Sequence, residues 1–186
     1  MVQDSLIEAK EKGLTLRVMF QDEARFGRIN DPKRCWCRPG VRPEVGKQIV
    51  REYIYAYGAF SPNDGAADFL VLPYMDAENM NIFLLELSTR YLNEFILLIC
   101  DKAPCHRSGE LVIPDNIKLL YLPAYCPQLN PSENMWEEIR EKFFTNLVFN
   151  SIDSVVNKVV EAMRFYDNRP DIVKSITSFN WLTPYV

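Results

Sequence analysis

Little in the sequence marks a secreted, membrane-spanning or disulfide-built protein. Its longest unbroken apolar stretch, residues 95–100, is far too short to cross a bilayer. The first dozen residues are charged and lack the apolar core of a signal peptide. The five cysteines, Cys35, Cys37, Cys100, Cys105 and Cys126, are an odd number with no secretory signal, so reduced thiols are expected rather than a disulfide framework. Zinc held by Cys35 and Cys37 with Cys105 and His106 would need a spacing unlike that of common structural sites. The expectation is a cytoplasmic protein without a membrane partner. A basic excess is also missing: the net charge is −4, whereas DNA-binding domains usually carry surplus cations to displace counterions. The charge is unevenly spread, however. Lys33, Arg34, Arg38, Arg42, Lys47 and Arg51 face a single acid, Glu44, within one segment. That strip reads either as a phosphate-contacting surface or as the solvated face of a hairpin.

With 186 residues, 48% hydrophobic and 12% aromatic, the chain can build one sizeable core and one domain. Residues 1–13 read as a linker or short helix ended by Gly13, and residues 14–186 as the domain itself. Leu16, Val18 and Phe20 alternate with Arg17, Met19 and Gln21, the period of a strand with one covered face, and Asp22 ends it on the apolar side. Residues 34–37 read as a second strand before the Pro39-Gly40 turn, and residues 49–60 as a third, tightly joined and therefore antiparallel. Residues 67–72 suggest a further short strand. A helix capped by Asp76 carries Met80, Phe83, Leu84, Leu87 and Tyr91 on one face. Residues 95–100 then fit a central strand covered on both faces and reached by a helical crossover, with Asp101 at its carboxyl end. After a short strand at residues 117–122, Pro123, Pro127 and Pro131 stiffen the path to a helix capped by Asn130. A last helix starts near Ser151, and the aromatic-rich stretch 164–186, bearing Trp181, packs on this domain or on a partner. The fold class is α/β: a mixed five-stranded sheet with an antiparallel three-stranded start and flanking helices.

Three carboxylates stand out. Asp22, Asp101 and Glu133 are each preceded by apolar sequence that draws them inward, where unpaired carboxylates are costly unless a cation or hydrogen bonds offset their charge. Oxygen ligands shared with phosphates are how Mg²⁺ is usually held, and two such ions support in-line displacement at phosphorus. Each acid also has a plainer reading. Asp22 can simply end a strand, with Glu23 as ligand if the register slips by one; Asp101 can form a turn; and Asn130-x-x-Glu133 is an acceptable capping box. Trp136 reads as core on the Glu133 helix.

Asp101-Lys102-Ala103-Pro104-Cys105-His106 resembles the Asp-Asn-Ala-Pro-x-His motif of DDE transposases in the mariner superfamily, particularly its bacterial insertion-sequence branch. The run from Leu122 through Tyr125, Pro127, Asn130-Pro131 and Glu133 to Trp136 is similar to that family's Leu-Pro-x-Tyr-Ser-Pro-x-Leu-Asn-Pro-x-Glu-x-x-Trp signature. Phe20-Gln21-Asp22-Glu23 resembles its first Asp-Glu strand, and Trp36 with Gly40 its second. The resemblance implies an RNase H-like fold in which Asp22, Asp101 and Glu133 bind two Mg²⁺ or Mn²⁺ ions. It also implies DNA cleavage at transposon ends, strand transfer into a target duplex, and dimers on DNA. Glu23, Lys102 and His106 are accessory candidates. Two departures accompany it: Lys102 replaces the usual Asn, setting a cation beside a metal ligand, and no helix-turn-helix precedes the domain, so the N-terminal DNA-binding module is expected to be absent. Two other readings stay open, an inactive remnant that only binds DNA or protein and a different RNase H-like nuclease.

Overall fold

A computed structural model describes residues 2–103, 106, 109–124 and 126–179 of the chain. Pro104, Cys105, Tyr125 and Trp181, named above, lie outside the described residues.

The chain opens with α1 (Val2–Glu11), closed by Gly13 at φ 69°, where the amides of Gly13 and Leu14 bond back to the carbonyls of Lys10 and Ala9. The following strand, β1 (Thr15–Ile29), is far longer than its alternating start suggests. It is the middle strand of a five-stranded sheet and is covered on both faces, not one. β2 (Ile49–Phe60) and β3 (Ala67–Leu72) extend the sheet antiparallel on one side of β1, and β4 (Glu94–Cys100) and β5 (Ile117–Tyr121) extend it in parallel on the other, giving the order β3-β2-β1-β4-β5. Every residue of β4 from Phe95 to Cys100 is buried, as its uninterrupted apolar sequence requires.

The antiparallel start does have three strands, but residues 34–37 are not one of them. Residues 30–48 run as an irregular, mostly exposed excursion between β1 and β2, and residues 67–72 supply the third strand instead. The physical reason is local. Pro32, Pro39 and Pro43 remove backbone donors along the excursion, and β1 already pairs directly with β2 across its base, from Phe20↔Phe60 to Ile29↔Ile49. The excursion is tied at its root by Asn30, whose side chain bonds the Gly46 and Leu147 carbonyls and the Gln48 amide.

Alternation along β1 splits the core into layers. Met19 joins Tyr57, Ala59, Ile96 and Leu98 beneath α2 (Ala77–Arg90), whose first turn is capped by the Asp76 carboxylate accepting from the Asn79 amide. Val18 and Phe20 face the opposite way with Leu97 and Ile99. Ala24 and Phe26, further along that same face, pack under α3 (Ser132–Ile139), α4 (Ile152–Asp167) and α5 (Pro170–Thr177). The result is a helix–sheet–helix sandwich of RNase H-like type. Among the described residues no helix is long and apolar enough to cross a membrane.

Candidate catalytic cleft

β1 and β4 pair in parallel from Thr15↔Glu94 to Phe20↔Ile99. Two residues beyond that last pair, on each strand, stand Asp22 and Asp101. The carboxyl ends of neighbouring parallel strands are where open α/β sheets commonly place ligands. Past Phe20, β1 continues beside β2 alone, so its other edge opens into a cleft. Asp22 therefore does not end its strand; it stands where one neighbour stops. Flanked on its own face by buried Phe20 and Ala24, it is pushed up to about 8, first by burial and then by the charges of Glu133 and Glu23, with Asp101 contributing less. Asp101, whose side chain is 56% exposed, moves the opposite way: a hydrogen bond from His106 and another from the Ala103 amide hold it below its ordinary range. The turn-forming reading of Asp101 thus holds too, since its Oδ1 accepts from the Ala103 amide at 2.8 Å.

Glu133 comes from α3, and the helix start is fastened to the strand that bears Asp22. Buried Asn130 donates from Nδ2 to the Gln21 carbonyl at 3.1 Å, and buried Ser132 donates from Oγ to the Phe20 carbonyl at 3.1 Å. The expected cap shifts by one residue: α3 starts at Ser132 with Pro131, which has no capping side chain, at the cap position, and the Asn130-x-x-Glu133 capping box is not formed. Asn130 Oδ1 accepts from the Ser132 amide at 3.2 Å, but the Asn130 amide bonds to the Pro127 carbonyl, leaving Glu133 to line the cleft in the first turn of α3, where the helix dipole favours a negative charge. Gly58 sets the spacing on the other side. It pairs directly with Asp22, and a Cβ there would lie 2.8 Å from the Trp136 ring. Trp136, one helical turn from Glu133, is core as expected; because Gly58 has no side chain, α3 sits close over Asp22.

The cleft has a volume of about 500 Å³ and is lined by all three carboxylates together with Lys102, Asn130 and the prolines Pro123 and Pro127. Cys126 also lines it, but the three carboxylates offer oxygen donors of the kind that suit Mg²⁺ or Mn²⁺. Among the described residues no three His, Cys, Asp or Glu groups close on one point as a metal cage. Mg²⁺ does not need one: it is typically held by one or two carboxylates, water and substrate phosphate oxygens. The mutual repulsion raising Asp22 is the kind of strain a bound cation relieves. Lys102 is exposed at the rim.

Glu23 is not in the cleft. One residue on from Asp22, it projects to the opposite face of β1, where its carboxylate, 4% exposed, meets His106 Nε2 and Gln21 Nε2, each at 2.9 Å. Of the basic strip, Arg34, Arg38, Arg42 and Lys47 lie along the exposed excursion and Arg51 on the exposed start of β2. Lys33 sits at the root, its amide on Asn146 and its ammonium 3.5 Å from Glu141. The strip thus lies on an exposed basic arm without regular strand structure, not on the face of a regular hairpin. A second cleft of about 220 Å³ beneath it is lined by Arg25, Lys33 and Arg140. Sequence reasoning missed Arg25 and Arg140, as well as the Asn130 and Ser132 fasteners and the Glu23–His106 contact. For the last no local signal exists, since 83 positions separate the two residues.

The profile of the DDE superfamily endonucleases matches residues 17–156. The chain is 35% identical over 131 residues to an uncharacterized protein, y4pE/y4sA, of Sinorhizobium fredii (strain NBRC 101917 / NGR234), covering 69% of this chain and 96% of that one. Among solved structures it resembles the pre-cleavage Mos1 transpososome (TM-score 0.61, 17% identity), the Mos1 strand transfer complex (0.59, 19%) and the mariner Mos1 paired end complex with Mn (0.58, 18%). Each likeness covers 96% of this chain and 60–61% of the Mos1 chain. The chain thus spans about 60% of the length of those structures, and at such identity they show the shared fold.

Proposed function

Because the chain belongs to the DDE superfamily of endonucleases, we propose that it is the catalytic domain of a DNA transposase, cutting phosphodiester bonds at transposon ends and joining them to a target duplex. The observation that supports this most is the convergence of Asp22, Asp101 and Glu133, from β1, the end of β4 and the start of α3, on one cleft. These three residues would hold two divalent ions; Mos1 complexes have been solved with Mn and with Mg. Bound there, the ions would activate the attacking hydroxyl and stabilise the leaving oxygen, which fits a site of carboxylates in a chain with one histidine.

The remaining residues carry positioning and charge. Asn130 and Ser132 keep Glu133 at a fixed distance from Asp22. Arg140, on the continuation of α3 (Arg140–Phe144), lies seven residues after Glu133, about 10 Å along a helix, or roughly three nucleotide steps of duplex. A strand whose scissile phosphate lies at the carboxylates can therefore place a neighbouring phosphate on the cleft of Arg25, Lys33 and Arg140, while the basic arm meets flanking DNA. Two copies acting on paired ends complete the proposal.

The test is strand transfer. A 3′-hydroxyl oligonucleotide carrying the DNA that flanks the gene, incubated with supercoiled plasmid and Mn²⁺, should become joined to the plasmid, and Asp22→Asn, Asp101→Asn and Glu133→Gln should each abolish joining. Hydrolysis without joining would instead indicate a simple nuclease. One observation favours a non-catalytic remnant, the cation Lys102 at the cleft rim. Lys102→Asn should raise the cleavage rate at limiting Mn²⁺ several-fold if that charge opposes the metal. A variant without any activity, in a protein that binds DNA, would favour the remnant.

A further inference from the structure

We infer that His106 and Glu23 act together as positioning residues for Asp101, fixing which of its carboxylate oxygens is presented to the cleft. This rests on the reading of Asp101 as a metal ligand.

The His106 ring is wholly buried and held at both ends. Nδ1 lies 2.9 Å from Asp101 Oδ1 and 3.2 Å from the Asp101 carbonyl, and Nε2 lies 2.9 Å from Glu23 Oε1. Its main chain is fixed as well, the amide donating to the Ala103 carbonyl at 3.0 Å and the carbonyl accepting from the Tyr121 hydroxyl at 2.6 Å. Glu23 is in turn held by Gln21, itself buried. A ring so placed cannot turn away, and it reaches from the far face of β1 round the end of β4 to the half-exposed Asp101 carboxylate of the cleft.

At Asp101 the consequence is an asymmetry between two oxygens. Oδ1 accepts from both the Ala103 amide and the ring, whereas Oδ2 has no hydrogen-bond partner among the described residues. Two donors fill the acceptor capacity of Oδ1. Asp101 would therefore meet an ion through Oδ2 alone, in one orientation. The Ala103 bond by itself already forms the turn, so the ring is not needed for the local backbone path; what it adds is control of the carboxylate torsion. The partners behind metal-binding side chains act in this way, and removing them typically weakens metal affinity about 10–100-fold.

The experiment measures Mn²⁺ affinity directly on the full chain without DNA, following free Mn²⁺ by electron paramagnetic resonance. The half-saturating Mn²⁺ for cleavage is recorded separately from the maximal rate. His106→Ala should weaken Mn²⁺ binding about 10–100-fold, and the double variant His106→Ala with Asp101→Asn should be no weaker than Asp101→Asn alone, because the ring acts through that carboxylate. His106→Asn, which keeps an N–H toward Asp101, should recover most of the loss. Glu23→Gln, which keeps an acceptor for Nε2, should weaken binding only a few-fold. A folded His106→Ala with wild-type Mn²⁺ affinity, or losses that add in the double variant, would overturn the positioning role and leave the metal site standing. Should His106→Ala not fold, wild-type affinity in His106→Gln, which removes the N–H at the Nδ1 position, would overturn it equally. Failure of the folded wild-type chain to bind Mn²⁺ saturably would instead overturn the reading of Asp101 as a ligand, and the positioning role with it.

Discussion

Replacing Asp22 with Asn should stabilise the metal-free protein, and increasingly so as the pH rises from about 4 to about 8. The side chain lies between buried Phe20 and Ala24 with Glu133, Glu23 and Asp101 around it, and its ionisation in the folded chain is pushed up from 3.8 to about 8. Below pH 4 the carboxyl is neutral in both folded and unfolded chains, so the near-isosteric amide changes little. Between the two values the folded chain keeps a proton that the unfolded chain has released. Unfolding is then favoured by as much as 1.36 kcal/mol per pH unit, and the wild type loses stability that the amide retains. The full window of about four units sets a ceiling near 6 kcal/mol. The cleft is open to water and its acids can move apart, which reduces the expected gain at pH 8 to about 2 kcal/mol. For a chain of this size that is about 4–8 °C in Tm. Thermal unfolding in EDTA at half-unit steps from pH 4 to 9, wild type against Asp22→Asn, measures it. Parallel curves, or a wild type that gains on the variant as pH rises, would refute the buried, repelled carboxylate.

Saturating Mg²⁺ at a hundred times its dissociation constant should raise wild-type stability by about 2.7 kcal/mol at pH 8, and thermal shifts should show this gain lost in Glu133→Gln. Gly58→Ala should cost about 1–3 kcal/mol in denaturant titrations, because the new methyl collides with the Trp136 ring, and should lower cleavage about tenfold by moving α3 away from Asp22. Neutralising Arg34, Arg38, Arg42 and Lys47 together should leave Tm within about 2 °C, since all four are exposed, while the logarithmic salt dependence of DNA binding falls by up to about 4.

The parts of this fold that were legible in the sequence are those whose neighbours in sequence are also their determinants. The unbroken run in β4, the 3.6-residue stripe of α2 from Met80 to Leu87 and the Asp76 cap depend on local pattern, and the structure has them where that pattern puts them. Asp22 and Asp101 reach the same edge because both follow apolar strands. Residues 34–37 misled because a Trp between two cysteines looks like strand sequence, yet Trp36 is fully exposed and its segment pairs with no strand of the sheet. The Asn130-x-x-Glu133 spacing suggested a cap for the same local reason. What decided otherwise was the turn before the helix, where the Asn130 amide bonds the Pro127 carbonyl, while the Asn130 Nδ2 reaches a carbonyl 109 residues away, on Gln21. Glu23 shows the limit most clearly: its adjacency to Asp22 suggested an interchangeable ligand, and the period of a strand sends the two to opposite faces.

The fastening of Asn130 and Ser132 to the main chain of β1 also bears on how such a domain changes over generations. The separation of Asp22 from Glu133 is set by two bonds that lie within three residues of Glu133 and end on backbone carbonyls, which every amino acid possesses. Neither bond is made by a residue of the stretch between Tyr121 and Pro127. That stretch lines the rim of the cleft without supplying either fastener, so exchanges at its exposed positions should alter the surface met by a substrate more than the spacing of Asp22 and Glu133.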